Sequence, residues 1–201
     1  MFTGIIESSG TVKEVIVNGT NKTFWIESPL SDQFKIDQSV SHSGVCLTVE
    51  EIKGNIHRVS AIAETLKKTN LDNWPPGHII NIERCLPLNG RLDGHFVQGH
   101  VDTTGTCLRK TDKNGSWEFE ISFPSGFAPL IIEKGSICVD GISLTAFAVG
   151  KEKFTVAIIP YTFAHTSIQR VEPGSTLNLE FDLLGKYIQR QAAFQPTIKS
   201  F

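Results

Sequence analysis

Along the first half of the chain, short runs rich in β-branched and aromatic residues alternate with turn residues. Gly10-Thr11-Val12-Lys13-Glu14-Val15-Ile16-Val17 is followed by Asn18-Gly19 and then by Thr23-Phe24-Trp25-Ile26. Two β-prone runs around an Asn-Gly pair predict a hairpin, because both residues accept the positive φ angles of a tight turn. Ser39-Val40-Ser41 continues the extended pattern, and Cys46 to Ile52 alternate as a half-buried strand does. Gly54-Asn55 turns into His57-Arg58-Val59-Ser60. Ala63-Glu64-Thr65-Leu66-Lys67-Lys68-Thr69 is the one short helical stretch of this half, and Pro75-Pro76-Gly77 closes it before a strand over 79–84.

After a loop rich in turn residues at 87–94, the pattern restarts. Gly44-Val45-Cys46-Leu47-Thr48 returns 97 residues later as Gly141-Ile142-Ser143-Leu144-Thr145. Gly4-Ile5-Ile6-Glu7 is echoed by Gly99-His100-Val101-Asp102, and the turn Asn18-Gly19 by Asn114-Gly115. The stretch from Glu64 to Thr69 is matched from Tyr161 to Thr166, and that from Pro76 to Glu83 from Pro173 to Glu180. Landmarks in one order and near one offset mean a duplicated module. Each copy carries about six strands and one helical turn, which suits a small closed barrel without exposed edges. The tail differs: Leu184, Ile188 and Ala192 fall on one helical face, and so short a helix needs something to pack on. The expected division is a barrel over 1–94, a second over 95–185, and a helix with its tail over 186–201.

Composition narrows the function. The 201 residues are 40% hydrophobic and 20% charged, with a net charge of −2, an ordinary globular balance that gives no reason to expect nucleic acid or an anionic membrane as partner. No apolar run is long enough to span a bilayer, and Met1 to Ile6 lack the basic start and apolar core of a signal peptide, so a cytosolic location is expected. Cys46, Cys85, Cys107 and Cys138 form no C-x-x-C pair and read as free thiols rather than as metal ligands. Asn18, Asn21 and Asn114 begin glycosylation-like triplets that mark turns only.

Several stretches together carry a resemblance: Met1-Phe2-Thr3-Gly4-Ile5-Ile6-Glu7, Gly44 to Val49, Glu64-Thr65-Leu66 with Thr69-Asn70-Leu71, Gly94 to Thr103, and Asp140 to Thr145. In this order they resemble the riboflavin synthases, over nearly the whole chain. The resemblance implies an all-β fold of two tandem six-stranded Greek-key barrels, with a C-terminal α-helix that gathers three chains. It also implies a cofactor-free and metal-free dismutation of two 6,7-dimethyl-8-ribityllumazine molecules, with one lumazine per barrel. The reacting pair would meet where the first barrel of one subunit faces the second barrel of another. As partners it implies a homotrimer, with room for association with lumazine synthase.

A duplicated site suits two identical substrates, but one must give and the other receive. Cys46 stands where the second copy has Ser143, and His100 where the first has Ile5. The resemblance implies a catalytic group of His100, Cys46, Ser143, Thr145 and Ser39. His100 is the natural carrier for the acidic 7-methyl proton, since histidine titrates near neutrality. Cys46 would serve as a nucleophile or polar handle on the acceptor ring, a nucleophile only if its pKa were lowered. Ser39, Thr48, Ser143 and Thr145 offer hydroxyls to the ring. Gly4, Ile5, Ile6, Gly99 and Val101 would complete the two slots, with Leu47, Ser60, Ala61, Ile62 and Ala63 beside them in the first copy. Leu144, Ile159, Pro160, Tyr161, Phe163 and Ala164 are their counterparts in the second. Glu64 and Thr65 in one barrel and Thr162 in the other fall at the turn that would hold the ribityl chain, and Lys134 matches a ligand-contact lysine. His95 is left open between structure and function, while His42, His57, His78 and His165 are read as surface or core. Ser41-His42-Ser43, Asp93 and Lys67 depart from the family's usual residues. The competing readings are a lumazine- or flavin-binding antenna protein without catalysis, and a flavin reductase, which lacks support because no G-x-G-x-x-G segment occurs.

Overall fold

The hairpin predicted at Asn18-Gly19 forms between β1 (Ser8–Asn18) and β2 (Asn21–Glu27), with Asn18 facing Asn21. The computed structural model describes residues 1–194. Strands β3 (Ser39–His42), β4 (Val45–Lys53), β5 (Ile56–Ala61) and β6 (Ile79–Arg84) complete a closed barrel in the order β1-β2-β5-β4-β3-β6. The second copy supplies β7 (Thr103–Asp112), β8 (Trp117–Ser122), β9 (Ser136–Val139), β10 (Ile142–Phe147), β11 (Lys153–Ile158) and β12 (Thr176–Phe181). They close as β7-β8-β11-β10-β9-β12, the same topology. Closure leaves neither sheet with an unpaired edge.

Alternate residues of the strands fill each barrel. Val12, Phe24, Ile26, Val40, Val59 and Ile80 form one core, and Phe119, Ile121, Ile137, Phe154, Val156 and Leu179 the other. One helical turn follows the fifth strand of each copy, α1 (Ala63–Lys68) and α2 (Pro160–His165). Helix α3 (Leu183–Ala192) begins directly after β12, ahead of the expected boundary at 186, because the Asp182 carboxylate accepts the Leu184 N–H at 2.9 Å and caps it. The part of the tail from 195 to 201 lies outside the described residues.

The barrels meet turn to turn. Ser43-Gly44 joins β3 to β4 and Asp140-Gly141 joins β9 to β10, with φ of 46° and 82° in one turn and 44° and 82° in the other. Both central residues at positive φ make a tight hairpin turn whose twist matches its strands. A Cβ on Gly44 would lie 2.8 Å from the Gly141 nitrogen, and one on Gly141 2.7 Å from the Gly44 nitrogen, so neither turn tolerates a side chain there. Two buried asparagines lace the seam reciprocally. Asn81 donates to the Asp140 carbonyl at 2.8 Å and accepts the Ser167 N–H at 2.7 Å. Asn178, its counterpart, donates to the Ser43 carbonyl at 2.9 Å and accepts the Asn70 N–H at 2.7 Å. Burial raises the Asp140 carboxyl to about 7, against the pull of hydrogen bonds from Asn178 and Asn70.

The first barrel holds a polar chain that its copy lacks. Ser31 Oγ lies 2.8 Å from His57 Nδ1, His57 Nε2 lies 2.9 Å from His42 Nε2, and His42 Nδ1 meets the Val40 carbonyl at 3.0 Å. All three side chains are buried. Burial drives both imidazoles toward the neutral form, His57 down to about 4. The equivalent residues 97 positions on are Ala128, Val139 and Phe154. A depressed folded pKa means that the unfolded chain takes up the proton first, so this contribution is whole above pH 6.5 and is lost as pH falls toward 4. Exchanging the three for the second barrel's residues (Ser31→Ala, His42→Val, His57→Phe) should flatten the acid limb. Relative to the parent, unfolding free energy should rise by at least roughly 3 kcal/mol between pH 7 and pH 4, the linkage value of about 2.5 pK units for His57 alone, to which the loss of His42 adds. Parallel urea titrations that keep a constant gap between the two proteins would contradict this.

Candidate functional site

Two clefts open at equivalent places; the leader segment of the second repeat walls the first, while that of the first repeat bonds to the backbone of a strand that lines the second. In the first, of about 250 Å³, Cys46 on β4 and Ile62, Glu64 and Thr65 at α1 face Gly99, His100 and Val101. The Cys46 N–H donates to the Gly99 carbonyl at 2.9 Å. In the second, of about 490 Å³, Ser143, Leu144 and Thr145 on β10 line the floor with Lys134, Ile159 and Thr162. There the Ser143 N–H donates to the Gly4 carbonyl at 2.8 Å. The leaders cross because Phe2 and Val97 pair with each other through two backbone hydrogen bonds of 2.7 and 3.1 Å. Gly99 sits at φ +80°, where a Cβ would come within 2.6 Å of the Cys46 Cβ; Gly4, at +77°, meets Ser143 in the same way.

Two buried carboxylates hold these leaders. Glu83 Oε1 accepts from the Thr3 N–H and hydroxyl, both at 2.6 Å, and Oε2 from the Gly4 N–H at 3.0 Å. Glu180 accepts from the N–H groups of Gln98, Gly99 and His100 at 2.7, 2.9 and 3.0 Å. Burial pushes both carboxyls up, and the converging donors oppose it. Their signal was in the sequence, as an acid repeated at the same offset inside an apolar strand, but sequence reasoning gave neither of them a role.

Cys46 and His100, which come from different repeats, share one cleft, with His100 exposed and the thiol half-buried. Burial raises the Cys46 pKa, with Ser39 leaning the other way, so this is a thiol rather than an activated thiolate. Ser39 is half-buried and pairs across the strands with exposed Thr48. His95, left open from sequence, lies buried with Nδ1 2.6 Å from Ser143 Oγ.

Other expected residues lie outside the clefts' walls. Leu47 and Ala61 point into the first core. Ser60 is taken up by hydrogen bonds to Thr23 and Glu50. Ile6 packs on the second core, and Ile5 is exposed beside the crossing. Ala63 lines a neighbouring groove with Glu64, Lys67 and Asp102. Pro160 opens α2, Tyr161 and Ala164 lie exposed along it, and Phe163 stacks on Trp117 at 3.7 Å. Val45, Lys68 and Thr69 in the first cleft, and Phe147, Ala157 and Ile158 in the second, were not foreseen. Among the described residues no group of three or more His, Cys, Asp or Glu could hold a metal ion.

A model of the lumazine binding domain matches the chain twice, over residues 3–85 and 98–182. The chain is 39% identical over 197 residues to the riboflavin synthase of Mycobacterium bovis, covering 94% of this chain and 97% of that protein. It is 36% identical over 191 residues to that of Bacillus amyloliquefaciens, covering 94% and 89%. Among solved structures, LumP complexed with riboflavin has the same fold, with a TM-score of 0.84 at 21% identity over 90% of this chain and 99% of that one.

Two glycines separate backbone strain from contact at the crossing. Gly19 has φ +63° and nothing within 4 Å of an added Cβ. Gly19→Ala should cost about 1 kcal/mol, the left-handed penalty alone. Gly99→Ala adds the collision with Cys46 and should cost at least about 2 kcal/mol more. Equal urea midpoints for the two variants would mean that the leader moves aside freely.

Proposed function

The chain belongs to the riboflavin synthase family, and on that footing we propose how its two clefts divide one reaction. The chemistry is the dismutation of two molecules of 6,7-dimethyl-8-ribityllumazine, in which one gives a four-carbon unit to the other, leaving riboflavin and 5-amino-6-ribitylamino-uracil. What supports the division best is the crossing of the leaders, which gathers thiol and imidazole at one cleft, while its twin carries the hydroxyls of Ser143 and Thr145.

One lumazine lies in the first cleft between Cys46 and Gly99-His100-Val101, with its ribityl chain along Glu64 and Thr65. The other lies over Ser143, Leu144 and Thr145, with its chain along Thr162 and Lys134 beside it. His100, exposed at its cleft, carries the proton lost from a 7-methyl group. The resulting carbanion is delocalised into the ring, so the protein need only receive the proton and hold two rings face to face. Cys46, kept as a thiol by burial, acts as a polar contact rather than as a standing nucleophile. Ser143, held by His95, offers its hydroxyl to the opposing ring.

Three chains gather through α3, whose Leu184, Tyr187 and Ile188 are exposed on the single chain, and the first cleft of one subunit faces the second of another. The location is cytoplasmic; no helix among the described residues is long and apolar enough to cross a membrane. The division at 94 and 185 and association with lumazine synthase belong to the same reading.

Incubating the purified protein with the lumazine should release riboflavin fluorescence and pyrimidine in equal amounts, whereas binding without turnover would leave a carrier or antenna. His100→Ala should lower kcat by roughly 100-fold, the smaller end of what general acid–base groups contribute, with lumazine affinity nearly kept. Equal losses in turnover and affinity would make His100 a binding residue.

A further inference from the structure

The two repeats treat equivalent acids differently. Glu7 and Asp102 occupy matching positions, two residues beyond Ile5 and His100. Each accepts a backbone N–H from the end of its barrel's last strand: Glu7 from Arg84 at 2.9 Å, Asp102 from Phe181 at 2.9 Å. Each also has a cation. Glu7 takes the side chain of that same Arg84, with contacts of 2.8 and 2.6 Å. Position 181 holds Phe, so the second repeat cannot answer in kind. Its cation is Lys186, 2.7 Å from Asp102 Oδ2, and Lys186 belongs to helix α3.

Both partners are largely shielded, with side-chain exposures of 23% and 19%, unlike the open pairs elsewhere on the surface. Residues 180 to 186 thus hold the leader at three places, Glu180 on 98–100, the Phe181 N–H on Asp102, and Lys186 on Asp102. The outer face of the same helix carries exposed Leu184, Tyr187 and Ile188.

We propose that Lys186 is a positioning residue, which couples the seating of helix α3 to the placement of His100 through Asp102. This rests on the proposed roles of His100 in turnover and of α3 in assembly. The first repeat has no such link, because its acid is answered from within its own barrel. A helix seated against its neighbours presses Lys186 onto Asp102 and fixes the leader; a displaced helix withdraws the cation and loosens His100. The coupling acts at one cleft of the two, the one that holds the thiol and the imidazole.

The test compares Lys186→Met, Lys186→Arg and Asp102→Asn in the full chain. Asparagine keeps an acceptor for the Phe181 N–H while removing the charge, and it lies off the helix. Lys186→Met and Asp102→Asn should each lower kcat about tenfold, a modest price for a misplaced catalytic group, with KM little changed. Lys186→Arg should restore most of it, and the double variant should lose no more than either alone. In ligand-free protein, the His100 ring signals in NMR should shift or broaden in both charge-removing variants, while those of His165 stay put. Parental His100 signals and kcat in Asp102→Asn would overturn the proposal, as would additive losses in the double variant. If Lys186→Met falls apart into single chains, Asp102→Asn decides. A parent that never turns over lumazine would sink the enzyme reading instead, with the His100 signals still reporting on the coupling.

Discussion

Two buried carboxylates that, among the described residues, take no side-chain hydrogen bond from a cation, Glu83 and Glu180, anchor the arrangement on which the clefts depend. Burying a carboxylate costs several kcal/mol unless charge-assisted hydrogen bonds answer it. Here each is met by converging donors from one leader segment. The cost of burial therefore falls due only if the leader departs, which ties the leader's position to the stability of the barrel. Each leader is held by its own barrel and reaches across to the other, where Gly99 accepts from Cys46 and Gly4 from Ser143. The first barrel's cleft is incomplete without the second repeat's Gly99, His100 and Val101.

The fold was largely legible from the chain, because duplication makes turn signals legible twice. Gly19 and the matched Gly44 and Gly141 mark strand junctions through backbone conformations that few other residues adopt. The helix that begins at 183 was visible in the spacing of Leu184, Ile188 and Ala192, whereas its Asp182 cap was not, because a cap is a contact of one side chain rather than a pattern. The clefts were legible in part. A repeat offset says which residues are equivalent, and it is silent on which ones touch. Cys46 and Ser143 were matched correctly, but the pairing of each with the opposite leader follows from Phe2 meeting Val97, a contact across 95 residues. Thr48 and Thr145 match in sequence, and yet only Thr145 lines a cleft.

The copies have drifted apart in interiors as well as in clefts. Ser31, His57 and His42 form a hydrogen-bonded chain in one barrel where the other packs Ala128, Val139 and Phe154. The Asp140 carboxyl at the seam is opposed in the first repeat by Ser43, a hydroxyl that does not ionise. One barrel thus answers to acid through its core, while the seam answers through one repeat only. Asymmetry in titration accompanies the asymmetry of thiol against hydroxyl and imidazole against aliphatic.

The seam where Gly44 meets Gly141 has an ancestry written into it. A surface on which one residue meets its equivalent, and each asparagine performs for the other side what is done for its own, is isologous, the contact that two copies of a single module make about a two-fold axis. Joining the copies in one chain turns a concentration-dependent encounter into a permanent neighbour. It also lifts the symmetry that a homodimer imposes, under which every substitution appears twice. Only after that release could a cysteine remain at one cleft while a serine settled at its twin, so that one fold presents two different faces to one kind of molecule.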